Sequence, residues 1–259
     1  MSQRMPFLRR YCGIVLLLWL LSPMVTAAPQ FRNAALSTSF SENDGAWSSF
    51  TAIAGNHSFL AQPCGIWRIQ WLEPQGWADI TPEKARHFRW EGGEADSLRL
   101  YWADFGLAEC PRLEVMVTVA PADENALSQW HITVKGLEKA RIRELAFPRL
   151  EALTPSPKEI LAVPYWMGER TEQARALLNK DPEHPGHLAW EYPGALSMQC
   201  MACYSEEGSG IYIACDDRAC HRKVFGVHGG RDNALGMTIS ACPVDSDVTE
   251  GCYSLPYTV

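Results

Sequence analysis

The sequence predicts an all-β protein, an antiparallel sandwich or barrel interrupted by one short helical excursion. Three observations carry that prediction. Short apolar-alternating runs recur from Cys64 onward, clusters of Gly, Pro and Asp divide them, and only one stretch has helical character. With 47% hydrophobic residues and 10 Trp in 259 residues, the chain can bury a substantial core.

Residues 1–27 read as a signal peptide. Arg4, Arg9 and Arg10 make a positive n-region, residues 14–21 (IVLLLWLL) an apolar stretch, and Val25-Thr26-Ala27 a small-residue cleavage site. The apolar run is far short of the ~20 residues that span a bilayer. The expected location is therefore secreted or periplasmic, with no membrane partner after cleavage.

Residues 28–62 are polar and small, and 48–53 give the one hint of an early strand there. From 63 to 259 the chain reads as a β-sandwich domain. Strand patterns fall at 66–72, 87–90, 97–102, 112–119, 129–134 and 141–147. Residues 164–195 break the rhythm. They carry the helical candidate 171–178 (TEQARALL), with Thr171 as N-cap, and read as a long excursion of the kind that is often functional. Strands resume at 196–204, 210–214, 223–227 and 235–241, while Gly226-Val227-His228-Gly229-Gly230 reads as a hairpin turn. The final residues, SLPYTV, look like a strand in progress, so the domain is expected to continue past Val259.

The formal charge is −7, and near −10 once the three leader Arg are removed. With no basic cluster, nucleic acid is not an expected partner, because phosphate binding needs concentrated positive charge. Of nine Cys, eight follow the leader. They can pair as disulfides, stay as buried thiols, or, through Cys200, Cys203, Cys215 and Cys220, bind metal. The metal reading is weak because Cys200 and Cys203 lie on one strand and project from opposite faces. No metal or cofactor is expected.

The words around position 195 carry a resemblance. Glu191-Tyr192-Pro193-Gly194, Ser197-Met198-Gln199-Cys200-Met201-Ala202-Cys203-Tyr204 and Gly210-Ile211-Tyr212-Ile213-Ala214-Cys215-Asp216-Asp217 resemble the amino-terminal region of DUF6259-type glycoside hydrolase-like proteins. Pro164-Tyr165-Trp166-Met167-Gly168 fits the same pattern. The resemblance implies a galactose mutarotase-like supersandwich, followed in those proteins by a catalytic (β/α)8 barrel that would be this domain's partner. The chain departs from the pattern with Cys200 and Cys203 at aromatic positions and with Cys215-Asp216-Asp217-Arg218 in place of a His-Asp-Pro ending. No barrel follows within these residues.

The expected role is a carbohydrate-associated, non-catalytic domain that binds an oligo- or polysaccharide. Trp166 and Trp190 would stack on sugar rings beside Tyr192, and Glu169 or Asp217 would accept hydroxyl hydrogen bonds. The rival account of the aromatic residues is that they cap the core. Glycoside hydrolysis needs two facing carboxylates. The sequence offers Glu169, Glu191, Asp216 and Asp217 without showing that any two converge. Two other readings stay open: a stand-alone aldose epimerase-like enzyme, needing a His and a carboxylate as acid and base, and an interaction module without a sugar ligand.

Overall fold

The computed structural model describes residues 28–259 apart from 74–75, 123–125, 138–140 and 182. The signal peptide assigned to residues 1–27 lies outside the described residues. The chain opens on a four-stranded antiparallel meander, β1 (Gln30–Arg32), β2 (Leu36–Phe40), β3 (Trp47–Ala52) and β4 (His57–Ser58). One early strand was expected here. Serine and threonine hide the others: β2 reads LSTSF, yet Thr38 and Phe40 are buried. The Thr38 hydroxyl donates to Ser49 O at 3.0 Å and accepts from Trp47 Nε1 at 2.6 Å. A satisfied hydroxyl can occupy a core position that composition alone assigns to a loop.

The hairpin β5 (Arg68–Glu73) and β6 (Gly76–Ile80) follows. Next comes the meander β7 (His87–Gly92), β8 (Leu98–Ala103), β9 (Glu114–Pro121) and β10 (Ser128–Lys135). Strand β11 (Ile142–Leu150) returns to pair with β5. The stretch read as an excursion, with the residues just before it, carries three short strands and the helix, separated by turns. It comprises β12 (Glu159–Val163), β13 (Glu169–Thr171), α1 (Ala174–Leu178) and β14 (His187–Tyr192). The Thr171 hydroxyl accepts from Gln173 N at 3.1 Å just ahead of the helix, whose N-cap is Gln173.

Strands β15 (Cys200–Ser205) and β16 (Gly210–Ala214) complete a four-stranded sheet of order β13-β12-β15-β16. Strands β17 (Lys223–Gly230) and β18 (Ala234–Ala241) build a six-stranded sheet, β14-β17-β18-β11-β5-β6. Strand β19 (Cys252–Ser254) closes a five-stranded one, β19-β10-β9-β8-β7. The segment expected to be a hairpin turn at Gly226 to Gly230 is the body of β17, and the turn is a short 3-10 segment at Arg231–Asn233. These glycines serve close approach. A Cβ on Gly229 would sit 2.5 Å from Leu178 O, and one on Gly226 would sit 2.8 Å from Thr238 Oγ1.

The five- and six-stranded sheets share one core. Val115, Val117 and Val119 alternate inward from β9, and Leu145, Phe225, Val227, Met237 and Ile239 come from the other sheet. Trp67 and Trp102 meet between them with ring centroids 5.7 Å apart. The eight cysteines of the described residues are free thiols. Burial pushes Cys64 up to about 11 and Cys203 and Cys215 to about 12, so these three are inert at neutral pH. No helix among the described residues is long and apolar enough to cross a membrane.

Candidate functional site

The six-stranded sheet buries one face in the core, and its other face carries a polar cleft of about 390 Å³. Its floor is small: Ala146 on β11, Gly226 on β17, and Thr238 and Ser240 on β18. Register explains their convergence, since Gly226 pairs with Thr238 and Ser240 pairs with Ala146. Around that floor stand Arg68, Glu144, Arg149, Glu151, His187 and His228.

A bulge in β11 is what assembles the charged wall. Glu144 and Ala146 face the cleft by ordinary alternation. The register then shifts between Ala146 and Arg149, so Arg149 pairs with Thr238 and joins the same face with Glu151. Without the extra residue, strict period-two alternation would send Arg149 into the core. Two ion pairs result. Arg68 Nη2 lies 2.9 Å from Glu144 Oε1, which also accepts from Ser240 Oγ at 2.8 Å, and Arg149 pairs with Glu151. Arg68 and Glu144 keep 31% and 28% of their side-chain surface exposed, so both remain reachable from the cleft. The buried Arg68 Nε has no hydrogen-bond partner among the described residues.

His187 and His228 face each other across β14 and β17. The His228 ring lies over Gly236, where a Cβ would come within 2.2 Å of Nε2. Burial, with the nearby Arg149, His187 and Arg68, pushes the His228 pKa below its ordinary 6.5 against the opposing pull of Glu151. His228 is therefore neutral at pH 7, with a donor on one ring nitrogen and an acceptor on the other. With the two ion pairs balanced, the cleft offers directional hydrogen bonds and little net charge.

None of the five residues predicted from sequence lines this cleft. Trp166 and Glu169 belong to the exposed hairpin of β12 and β13, where Trp166 is 73% exposed and its φ is +52°. Trp190 and Tyr192 lie on β14 but pack against the core, on the opposite face from His187. Asp217 is buried. One of its oxygens accepts from Lys223 Nζ at 2.5 Å and His221 N at 2.6 Å, and the other from Ala219 N at 3.1 Å and His221 Nδ1 at 2.9 Å.

Tyr192 and Asp217 do come together, around Lys223. The buried ammonium also donates to Gln199 Oε1 at 2.6 Å, and lies 5.0 Å and 4.4 Å from the ring centroids of Tyr192 and Tyr257. Burial alone would raise the Asp217 pKa, but the bonds from Lys223 and His221 outweigh it and hold the carboxyl below its usual range. With both oxygens engaged inside the chain, Asp217 reads as the anchor of a structural cage.

The residues that sequence reasoning missed are Arg68, Glu144, Arg149, Glu151, His187 and His228. The available signal was charge at alternate positions of buried strands, as in RELAFPRLE at 143–151, where a half-solvated face reads the same way. No protein-family model matches the sequence, and no curated protein matches it either. Among solved structures, the chain is similar to a galactose mutarotase-like protein from Lactobacillus casei. That match has 10% identity, covers 87% of this chain and 94% of that one, and has a TM-score of 0.46. It is also similar to a galactose mutarotase related enzyme from Lactobacillus acidophilus, at 10% identity with 87% and 91% covered and a TM-score of 0.49.

Proposed function

We propose that this chain is an exported carbohydrate-associated domain that holds one sugar ring in the sheet-face cleft. The observation that carries the proposal is the cleft itself: a small-residue floor walled by two carboxylates, two guanidinium groups and two imidazoles. A pyranose presents a ring of hydroxyls that each donate and accept. Glu144 and Glu151 supply acceptors, and Arg68 and Arg149 supply donors. The cleft volume falls within the range typical of small-ligand sites.

In this reading the domain is non-catalytic and works beside a glycoside hydrolase-type barrel, as the resemblance to DUF6259-type proteins implies. Trp166 would extend contact to a longer saccharide. Calorimetric titration of residues 28–259 with neutral monosaccharides tests the proposal. Saturable binding lost on Glu144→Gln supports it, and binding unaffected by that change overturns it.

One observation favours a second reading. A neutral His228 near Glu151 is the acid–base pairing that proton transfer at an aldose C1 hydroxyl and ring oxygen needs. An aldose epimerase-like activity of the chain alone would appear as accelerated mutarotation in a polarimeter. A rate equal to that of buffer removes this reading and leaves sugar binding untouched.

A further inference from the structure

The fixed charges that line the sheet-face cleft cancel in pairs, Arg68 with Glu144 and Arg149 with Glu151. Beside Cys242, Arg222 and Glu191 cancel in the same way at 2.6 Å. Burial raises the Cys242 thiol above its usual range, so it stays neutral at physiological pH. Of the lining residues, His187 on β14 and His228 on β17 are left to decide the sign of the cleft.

The sheet makes room for both rings. His187 and His228 are register partners, side by side across the two strands. A Cβ on Gly226 would come within 3.4 Å of His187 Nε2, and one on Gly236 within 2.2 Å of His228 Nε2. Both imidazoles therefore lie over glycine positions, His228 in space that a side chain at 236 would occupy. The charged groups facing His228 are Glu151 and Arg149 from β11 and its end, Arg68 from β5, and His187 itself. His187 shares the cleft with the same groups.

Imidazole is the side chain whose charge ordinarily changes between about pH 5 and 8. With both rings neutral, two guanidinium groups balance two carboxylates; with both protonated, the wall carries a net charge of +2. A uronic acid answers that change. Its C6 carboxylate adds a single oxygen to the neutral sugar, so a cleft of about 390 Å³ accommodates either, whereas a phosphate adds a larger group. A bound carboxylate in turn favours the charged form of an imidazole beside it.

We infer that His187 and His228 select the charge of the sugar in the cleft, admitting neutral rings when both are neutral and recruiting uronic acids when both are protonated. Resting on the sugar-binding reading proposed above, this selection adds a second ligand class to the same site. The sign is fixed by the chemistry: protons taken up as pH falls add positive charge, so affinity for a uronate rises while affinity for its neutral parent does not.

The test is calorimetric titration of the protein with methyl glucuronide and methyl galacturonide, each beside its neutral methyl glycoside. Methyl glycosides cannot open their rings, so no epimerase activity enters the reading. From about pH 7.5 to about pH 5.5 the affinity of a uronide relative to its neutral parent should rise about tenfold or more. Added salt should shrink that gain. His187→Gln combined with His228→Gln keeps hydrogen-bonding side chains without the titration, so the ratio should then stay flat. On the unaltered protein at about pH 6, uronide binding should take up protons, read from the heats in two buffers of different ionisation enthalpy. That second measurement carries the comparison where the double variant does not fold.

Binding of neutral glycosides with a ratio that does not move overturns the selection and leaves the sugar-binding reading standing. A ratio that rises equally in the folded double variant, or uronide binding without proton uptake, also overturns it, because the charge then lies elsewhere. Binding of no glycoside at either pH overturns both readings.

Discussion

Strand β17 carries two charged assemblies on its two faces, and they differ in what they leave undone. Inward, Lys223 meets Asp217, Gln199, Tyr192 and Tyr257; both charges are buried, and both Asp217 oxygens accept hydrogen bonds. Outward, Gly226 and His228 belong to the cleft, where the ion pairs are partly exposed and the Arg68 Nε is unpaired. A fully buried, hydrogen-bonded pair rigidifies its surroundings, whereas a half-solvated pair can exchange its water for a ligand. Exposure separates the two pairs: the Lys223 and Asp217 side chains are buried, while those of Arg68 and Glu144 reach solvent.

The largest effect expected is at the cage. Lys223→Met should destabilise the fold by about 3–5 kcal/mol in denaturant unfolding, because it leaves the Asp217 carboxylate buried beside an apolar chain. A loss below about 1 kcal/mol would mean that water reaches Asp217 and that the two assemblies are less different than described. Glu144→Gln reverses the pattern. The pair it breaks is about one-third exposed, so stability should change by less than about 1 kcal/mol. Sugar binding should instead fall by about 1.5–3 kcal/mol in calorimetry, the range for a hydrogen bond to a charged group.

Gly236→Ala sharpens the contrast at one atom. The new methyl would meet His228 Nε2 at 2.2 Å and Leu150 O at 2.8 Å, so the ring must swing away from its place in the cleft. Ligand affinity should drop with a smaller loss of stability than at Lys223, read by titration and thermal melting together. The ring also gives the cleft a pH signature. Because the folded pKa of His228 lies below 6.5, the unfolded chain binds more protons as pH falls through 6.5. Stability should therefore decline below that pH until the folded pKa is passed, and His228→Gln should flatten the decline. An unchanged slope in the variant would mean the proton is taken up elsewhere.

How much was legible in advance follows the same division. Period-two alternation exposed β8, β9 and β10 because each has one apolar face and one polar face. It passed over β2 because the Thr38 hydroxyl hydrogen-bonds at a buried position where an apolar group was sought. Part of the cleft was illegible for a geometric reason. The β11 bulge places Arg149 and Glu151 on the face of Glu144, and alternation counted along the sequence assigns them to opposite faces. Glycines misled for a related reason, since Gly226 and Gly229 mark close approach in β17 and were read as a turn.

The smallest expected effect concerns Trp166, one of the two tryptophans that the sequence placed against a sugar ring. Trp166 is 73% exposed and holds φ at +52°, a left-handed conformation that costs a non-glycine residue about 1–2 kcal/mol. An exposed indole in a strained backbone contributes little packing to offset that cost. Trp166→Gly should therefore leave the melting temperature unchanged or raise it by a few degrees. If the indole extends the sugar site, the same variant should weaken binding of a long oligosaccharide and leave monosaccharide binding at the cleft intact. A fall in melting temperature would instead make Trp166 a cap on the hairpin. The strain would then be offset by packing, and the cleft would be the whole of the sugar site.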